Sequence, residues 1–277
     1  MTGKQTDATF ESYLPLSGDR LFGKTAIVTG GGSSGDLMGT GSAMCVLFAA
    51  QGANVVIVDS DGARAKHTER LIQGMDGSVR TVLCDVRLFD ECCEAVRIAK
   101  QEFGGLHILV NNAGVARTGG VASVSEADWN LVIDVNMKGT MNMTRAAHAE
   151  LAGQRGSSVV NISSIASQRG FGAIAYAGSK GGIVSMTKDM ACTMGTYGIR
   201  ANCLIPGSVT TPMVGGMANE AGRAAAKSAT LLGQEGTAWD VAWAALFFAS
   251  DESRWITATT LNVDGGSDAY PGARPAR

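Results

Sequence analysis

Residues 25–44 read TAIVTGGGSSGDLMGTGSAM. The opening TAIVTG (25–30) is a short apolar run rich in β-branched residues, which predicts a strand. Small and apolar residues from about Gly41 onward predict a helix (41–51). A strand that passes through a glycine-rich turn into a helix is the first unit of an α/β fold. The helix start presents free N–H groups and partial positive charge, and glycines let a ligand approach the backbone, so the turn is a candidate pyrophosphate site. It is longer than a tight turn needs, with residues 34–38 intervening. Alone, a glycine-rich turn is a weak signal, because flexible surface loops look similar.

Outward from this unit the pattern repeats. NVVIVD (54–59), SVRTVLCD (78–85), HILVNN (107–112), SSVVNISS (157–164), RANCLIP (200–206) and TLNVDGG (260–266) read as further strands. Several are almost wholly apolar, as expected when helices cover both sheet faces. Helical patterns lie between them, at 88–103, 125–150, 175–196 and 238–249. Seven strands alternating with helices predict a doubly wound, seven-stranded parallel sheet in a single domain over 21–277. Residues 1–20, polar and mixed in charge, read as an N-terminal arm. Residues 213–236, rich in Gly, Ala and Met, break the alternation after a strand end, where ligands bind in such sheets, and are expected to form a mobile lid, with a plain surface helix as the alternative.

Composition narrows the function. The net charge is −2, with 23 basic and 25 acidic residues among 277. Nucleic acids and anionic membranes favour basic faces, so neither is an expected partner. No apolar run approaches the length of a membrane span, and no signal peptide pattern opens the chain. A cytoplasmic protein is expected. The six cysteines, Cys45, Cys84, Cys92, Cys93, Cys192 and Cys203, form no C-x-x-C pair and have no histidine at zinc spacing, so no metal site is expected. They read as reduced, buried thiols.

Asp59 closes the second predicted strand. A carboxylate there can accept hydrogen bonds from ribose hydroxyls and would repel a 2′-phosphate, which favours NAD over NADP; the alternative is a cap for the next helix. The third and fourth strands end in CDV (84–86) and NNAG (111–114), short polar stretches able to line a nucleotide or simply to make turns. YAGSK places Tyr176 and Lys180 four apart, on one face of a helix. An ammonium beside a phenol favours the phenolate, which suits a general acid/base. NISS adds Ser163 and Ser164. Asn136 lies inside a long apolar helix, where a buried amide needs partners; it can bend the helix, hold a water, or be a satisfied core group.

Together these motifs resemble the short-chain dehydrogenase/reductase family, over nearly the whole chain from Leu21 to Gly266. VTG with the glycine turn, Asp59, Asp85, NNAG, VNMKGT, NISS, YAGSK, IRANCLIPG, TTPM and WITATTLNVDGG occur in order. The resemblance implies a catalytic tetrad of Asn136, Ser164, Tyr176 and Lys180. Tyr176 would exchange a proton with the substrate oxygen, and Lys180 would assist it and bind the nicotinamide ribose. Ser164 would hydrogen-bond the substrate oxygen, and Asn136 would hold a water of a proton relay. It further implies an NAD site formed by Gly30, Ser33, Gly39, Thr40, Asp59, Asp85, Val86, Asn112, Ala113, Gly114, Tyr176, Lys180, Pro206, Val209 and Thr211. Two departures stand out. The usual spacing to the tyrosine points to Ser163, whereas the register of NISS points to Ser164, the preferred residue. The glycine turn carries the insertion 34–38, expected to bulge beside the pyrophosphate or adenine ribose, with GTG (39–41) as the helix entrance.

The resulting expectation is an NAD-dependent dehydrogenase that interconverts a secondary alcohol and a ketone in a small-molecule substrate. A carbonyl or 3-ketoacyl reductase using NAD(P)H is the alternative, and a binding or scaffold protein without catalysis is one of another class. A homotetramer is implied by the resemblance, with helices 125–150 and 175–196 at one interface. Arg117 and Arg169 read as solvated arginines rather than anion ligands, and Trp129, Trp239, Trp243 and Trp255 as packing residues.

Overall fold

The computed structural model describes residues 18–33, 37–170, 172–212 and 220–269. The chain alternates β1 (Thr25–Thr29), α1 (Thr40–Ala50), β2 (Asn54–Asp59), α2 (Gly62–Gln73), β3 (Val79–Leu83), α3 (Phe89–Phe103) and β4 (Ile108–Asn111). It continues with α4 (Glu126–Ile133), a π-helical turn (Asp134–Lys138), α5 (Gly139–Ala152), β5 (Ser158–Ile162), α6 (Ile174–Met194) and β6 (Arg200–Pro206). The last elements are β7 (Val209–Thr210), α7 (Glu220–Ser228), β8 (Gly236–Thr237), α8 (Ala238–Ala249) and β9 (Thr260–Val263). Seven strands form one sheet in the order β3-β2-β1-β4-β5-β6-β9, with every neighbouring pair parallel. The order reverses between β1 and β4, and a crevice opens there at the carboxyl ends of the strands.

Strand alternation builds two cores. Ala26 and Val28, Val55 and Ile57, and Ile108 and Val110 face α1, α2 and α8. Their neighbours Ile27, Val56, Val58 and Leu109 face α3, α5 and α6. Both faces are therefore covered, which explains why the strands read as continuous apolar runs.

Several expectations change in detail. The predicted helix 125–150 is interrupted by the π-helical turn at Asn136. Among the described part of 213–236, α7 is followed by residues fastened to the molecule. Leu232 N–H donates to Gly265 O, and β8 pairs with β7; residues 213–219 lie outside the described residues. Of the arm 1–20, Gly18 N–H donates to Ala50 O and Arg20 forms a two-bond ion pair with Glu252. Cys93 and Cys192 are exposed rather than buried, because each falls on the outer side of its helix. Trp255 is 94% exposed and does not pack, whereas Trp239 is buried. No helix among the described residues is long and apolar enough to cross a membrane.

Candidate active site

A cleft of about 860 Å³ runs along the carboxyl ends of the strands. Of the sequence-predicted site residues, Asn136 alone is not on its wall. Gly30, Ser33, Gly39, Thr40, Asp59, Asp85, Val86, Asn112, Ala113 and Gly114 line it, as do Ser164, Tyr176, Lys180, Pro206, Val209 and Thr211. Sequence reasoning missed Gly32, Arg64 and Arg87, which share the wall.

At one end stand α6 and the turn after β5. The i, i+4 spacing brings Lys180 Nζ to 5.7 Å from the centre of the Tyr176 ring. Lys180 is 4% exposed, and its ammonium donates to Ile162 O at 2.8 Å. The two serines differ. Ser163 is buried, and its hydroxyl is spent on Lys180 O at 2.7 Å. Ser164 caps the short turn that follows, where its Oγ accepts the Ala166 N–H at 3.2 Å. Accepting that bond leaves the Ser164 proton to donate, so the hydroxyl at the cleft with donor capacity is Ser164.

Asn136 sits just behind this wall, wholly buried. Its Oδ1 accepts the Val115 N–H at 2.8 Å. Its Nδ2 donates to Val115 O at 3.0 Å and to Ser179 Oγ at 2.9 Å. The amide thus fastens the loop after β4 to α6. The π-helical turn in which it sits displaces the ladder locally, a recurrent feature of functional sites. Ser179, whose own hydroxyl donates to Tyr176 O at 2.7 Å, completes this brace; nothing in its one-residue context marked it.

At the other end, α1 starts at Thr40 with Gly39 as N-cap, no side-chain cap bond and no acidic residue in the first turn. Gly39, Thr40 and Gly41 at this helix start line the cleft. Gly41 cannot carry a side chain, since a Cβ there would lie 2.0 Å from Gly30 O. Gly30 has φ +64°, a left-handed conformation that favours glycine. Asn112 locks the two strand ends together. Its Nδ2 donates to Thr29 O and Gly30 O, both at 3.0 Å, and its Oδ1 accepts the Thr40 hydroxyl at 2.7 Å. Uncapped helix N–H groups, a wall without Cβ atoms and a carboxylate further along fit a dinucleotide.

That carboxylate, Asp59, accepts Gly32 N–H through Oδ2 and Asp61 N–H through Oδ1, each at 2.9 Å. Ser33 lines the cleft with both donors committed, its N–H to Arg64 O at 3.1 Å and its hydroxyl to Leu37 O at 3.2 Å. The latter bond closes the neck of the insertion; residues 34–36 lie outside the described residues, and Met38 packs on the core. Asp85 is held by Arg87, whose Nε reaches both carboxylate oxygens at 3.0 and 2.9 Å. These bonds hold the Asp85 carboxyl below its usual range, against the opposing effect of partial burial. Arg117 and Arg169, expected to be solvated, pair with Asp128 at 3.3 Å and Asp268 at 3.7 Å. Among the described residues, no cluster of His, Cys, Asp and Glu could hold a metal ion.

A family model described as enoyl-(acyl carrier protein) reductase matches residues 35–268. The 3-oxoacyl-[acyl-carrier-protein] reductase of Thermotoga maritima is 36% identical over 248 residues, covering 89% of this chain and 98% of that protein. The 3beta-hydroxysteroid dehydrogenase 1 of Eggerthella lenta is 38% identical over 259 residues, covering 92% of this chain and 97% of that protein. A crystal structure from Burkholderia xenovorans, assigned to the short-chain dehydrogenases/reductases, superposes with a TM-score of 0.86 at 35% identity, over 92% of this chain and 100% of its own.

Proposed function

This chain belongs to the short-chain dehydrogenase/reductase family, and we propose that it is an NAD-dependent oxidoreductase interconverting a secondary alcohol and a ketone. The observation that carries the cofactor choice is Asp59, a carboxylate on the cleft wall at the end of β2. It would accept ribose hydroxyls and repel a 2′-phosphate. The nicotinamide cofactor supplies the hydride acceptor for oxidation and the donor for reduction.

The chain's own residues do the rest. The first turn of α1, entered through Gly39 and Thr40, binds the pyrophosphate. Asp85 and Val86 flank the adenine, and Asn112, Ala113, Gly114, Pro206, Val209 and Thr211 complete the cofactor wall. Tyr176 takes the proton from the substrate hydroxyl in oxidation and returns it to the carbonyl oxygen in reduction. Lys180 stands beside it on the same face of α6, its Nζ 5.7 Å from the centre of the ring. Ser164 donates a hydrogen bond to the substrate oxygen and orients the reacting carbon. Asn136 keeps the loop after β4 and the catalytic helix in register, and a water of the proton relay belongs at this position.

A panel of secondary alcohols incubated with NAD and with NADP tests the reading. NADH formation with at least one alcohol is expected, and activity confined to NADP would overturn the cofactor assignment. One observation favours a second reading, reduction of a 3-oxoacyl thioester: the Thermotoga maritima relative bears that activity in its name. Turnover of such a thioester with NADPH would support it, and Asp59 speaks against it.

We also propose a homotetramer. A second cleft, of about 660 Å³, lies on the outer face of α5 and α6 and includes Met141, Met186, Met190 and Met194. Its apolar, adaptable side chains suit a copy of the same surface. A monomer in light scattering would contradict this.

A further inference from the structure

We propose that Thr68 is a positioning residue for the cofactor, because its buried hydroxyl fastens the glycine loop to α2 and sets the adenosine side of the cleft. The inference rests on the reading of the cleft as a dinucleotide site. Thr68 lies in the middle of α2 and is wholly buried. Its Oγ1 donates to Gly31 O at 2.9 Å, across 37 residues of sequence.

That bond is one of a series. Gly30 N–H and Gly31 N–H both point at Val58 O, at 2.7 and 3.3 Å. Gly32 N–H donates to Asp59 Oδ2 at 2.9 Å, and Ser33 N–H donates to Arg64 O at 3.1 Å. Four consecutive amides are therefore committed to β2 and α2, and none is left to bind a phosphate. In this protein the loop from Gly30 to Ser33 is a fixed wall, and the pyrophosphate falls to the first turn of α1.

The run of three glycines follows from that packing. A Cβ on Gly31 would lie 2.8 Å from Cys45 Sγ and 3.0 Å from Ile57 Cγ2. One on Gly32 would lie 2.7 Å from Arg64 Cβ and 2.8 Å from Asp59 Oδ2. The backbone is pressed against its supports on both residues, and the Thr68 hydroxyl answers the carbonyl between them.

Gly30 and Gly32 line the cleft, whereas Gly31 does not. Thr68 thus acts on the cofactor through Gly31, by holding the two wall residues on either side. Without the hydroxyl, the Gly31 carbonyl is buried without a donor, and the loop relaxes toward solvent. Gly32 then leaves Asp59, whose carboxylate loses its aim at the ribose.

The test compares wild type, Thr68→Val and Thr68→Ser. Calorimetric binding of ADP-ribose, which carries the adenosine end without nicotinamide, is read beside the KM for NAD, kcat and the melting temperature. Thr68→Val is expected to weaken ADP-ribose binding and raise the KM for NAD by about tenfold, the effect of stranding one buried acceptor. The kcat at saturating cofactor should move by less than about twofold, since the catalytic end is untouched. Thr68→Ser restores the donor and should restore binding. A Thr68→Val protein that melts earlier but binds ADP-ribose like wild type would show a merely structural hydroxyl and overturn the proposal. If Thr68→Val does not fold, Thr68→Cys, similar in size with a weaker donor, replaces it under the same criterion. Wild type that does not bind ADP-ribose overturns the dinucleotide reading together with this inference, whereas binding that ignores the substitution overturns this inference alone.

Discussion

The two ends of the cleft are built in different ways. At the end proposed as catalytic, Tyr176 and Lys180 are neighbours on one helix, and their geometry follows from helical periodicity. At the end proposed to hold the adenosine, nearly every defining bond joins distant segments: Asn112 to Gly30, Asp59 to Gly32 and Thr68 to Gly31. The first end depends on side chains that carry chemistry, and the second on backbone held in place by side chains that carry none. Loss of a group at the catalytic end should therefore cost rate, and loss at the adenosine end should cost cofactor affinity.

The largest effect is expected from Tyr176→Phe. Removing the proposed proton acceptor should lower turnover of any active secondary alcohol by about a thousandfold, within the range for general acid/base groups. NAD affinity measured by calorimetry should be nearly unchanged. A large loss of affinity instead would blur the division between the two ends.

Next comes Asn112→Ala, at the joint between them. It removes three side-chain bonds, to Thr29 O, Gly30 O and the Thr40 hydroxyl. A cost of about 2 kcal/mol is expected from the stranded partners. It should be visible as a lower melting temperature and a cofactor KM raised by more than that of Thr68→Val. Retained affinity would mean that the helix entrance holds its shape without this residue.

Asp59→Ala should shift the ratio of NADP to NAD affinity upward by about tenfold, since one repulsive charge disappears. It also frees Gly32 N–H, so part of the loss with NAD comes from the loop. Titration of the variant with both cofactors separates the contributions. An unchanged ratio would remove Asp59 from cofactor selection.

How much of this was legible in the sequence follows from the same contrast. The seven strands were readable because burial on both faces makes each an unbroken apolar run. Tyr176 and Lys180 were readable because four residues make one helical turn. The brace of Ser179 on Asn136, the commitment of Ser33 to Arg64 and Leu37, and the Asp85–Arg87 pair were not. Each depends on which surface a loop meets after the sheet closes. Arg200 is a further example. It reads as a strand-leading charge, yet it is buried and donates to Ser253 Oγ, Phe248 O and Ser250 O at the end of α8. Exposure was equally hidden at Cys93, Cys192 and Trp255, where an apolar residue type met an outward position.

The smallest effect concerns neither end and serves as a control. His107 Nδ1 accepts the Thr25 N–H at 3.1 Å, a bond that requires the neutral ring. Burial, and then the Lys24 charge, hold the imidazole below its ordinary value of 6.5. With the folded value depressed, the unfolded chain takes up the proton first as pH falls, so stability declines below about pH 6.5. Melting scans at descending pH should show this limb, and His107→Gln should flatten it without changing NAD affinity at neutral pH. A limb that persists unaltered in the variant would assign it to other groups.

In the proposed reading, one cleft joins a Tyr176–Lys180 acid/base pair to an adenosine end selected by Asp59. Calorimetric titration of the wild-type protein with NAD and with NADP tests it most directly. NAD is expected to bind tighter than NADP by about tenfold or more, the cost of setting a 2′-phosphate against the Asp59 carboxylate. Equal affinity, or tighter binding of NADP, would contradict it.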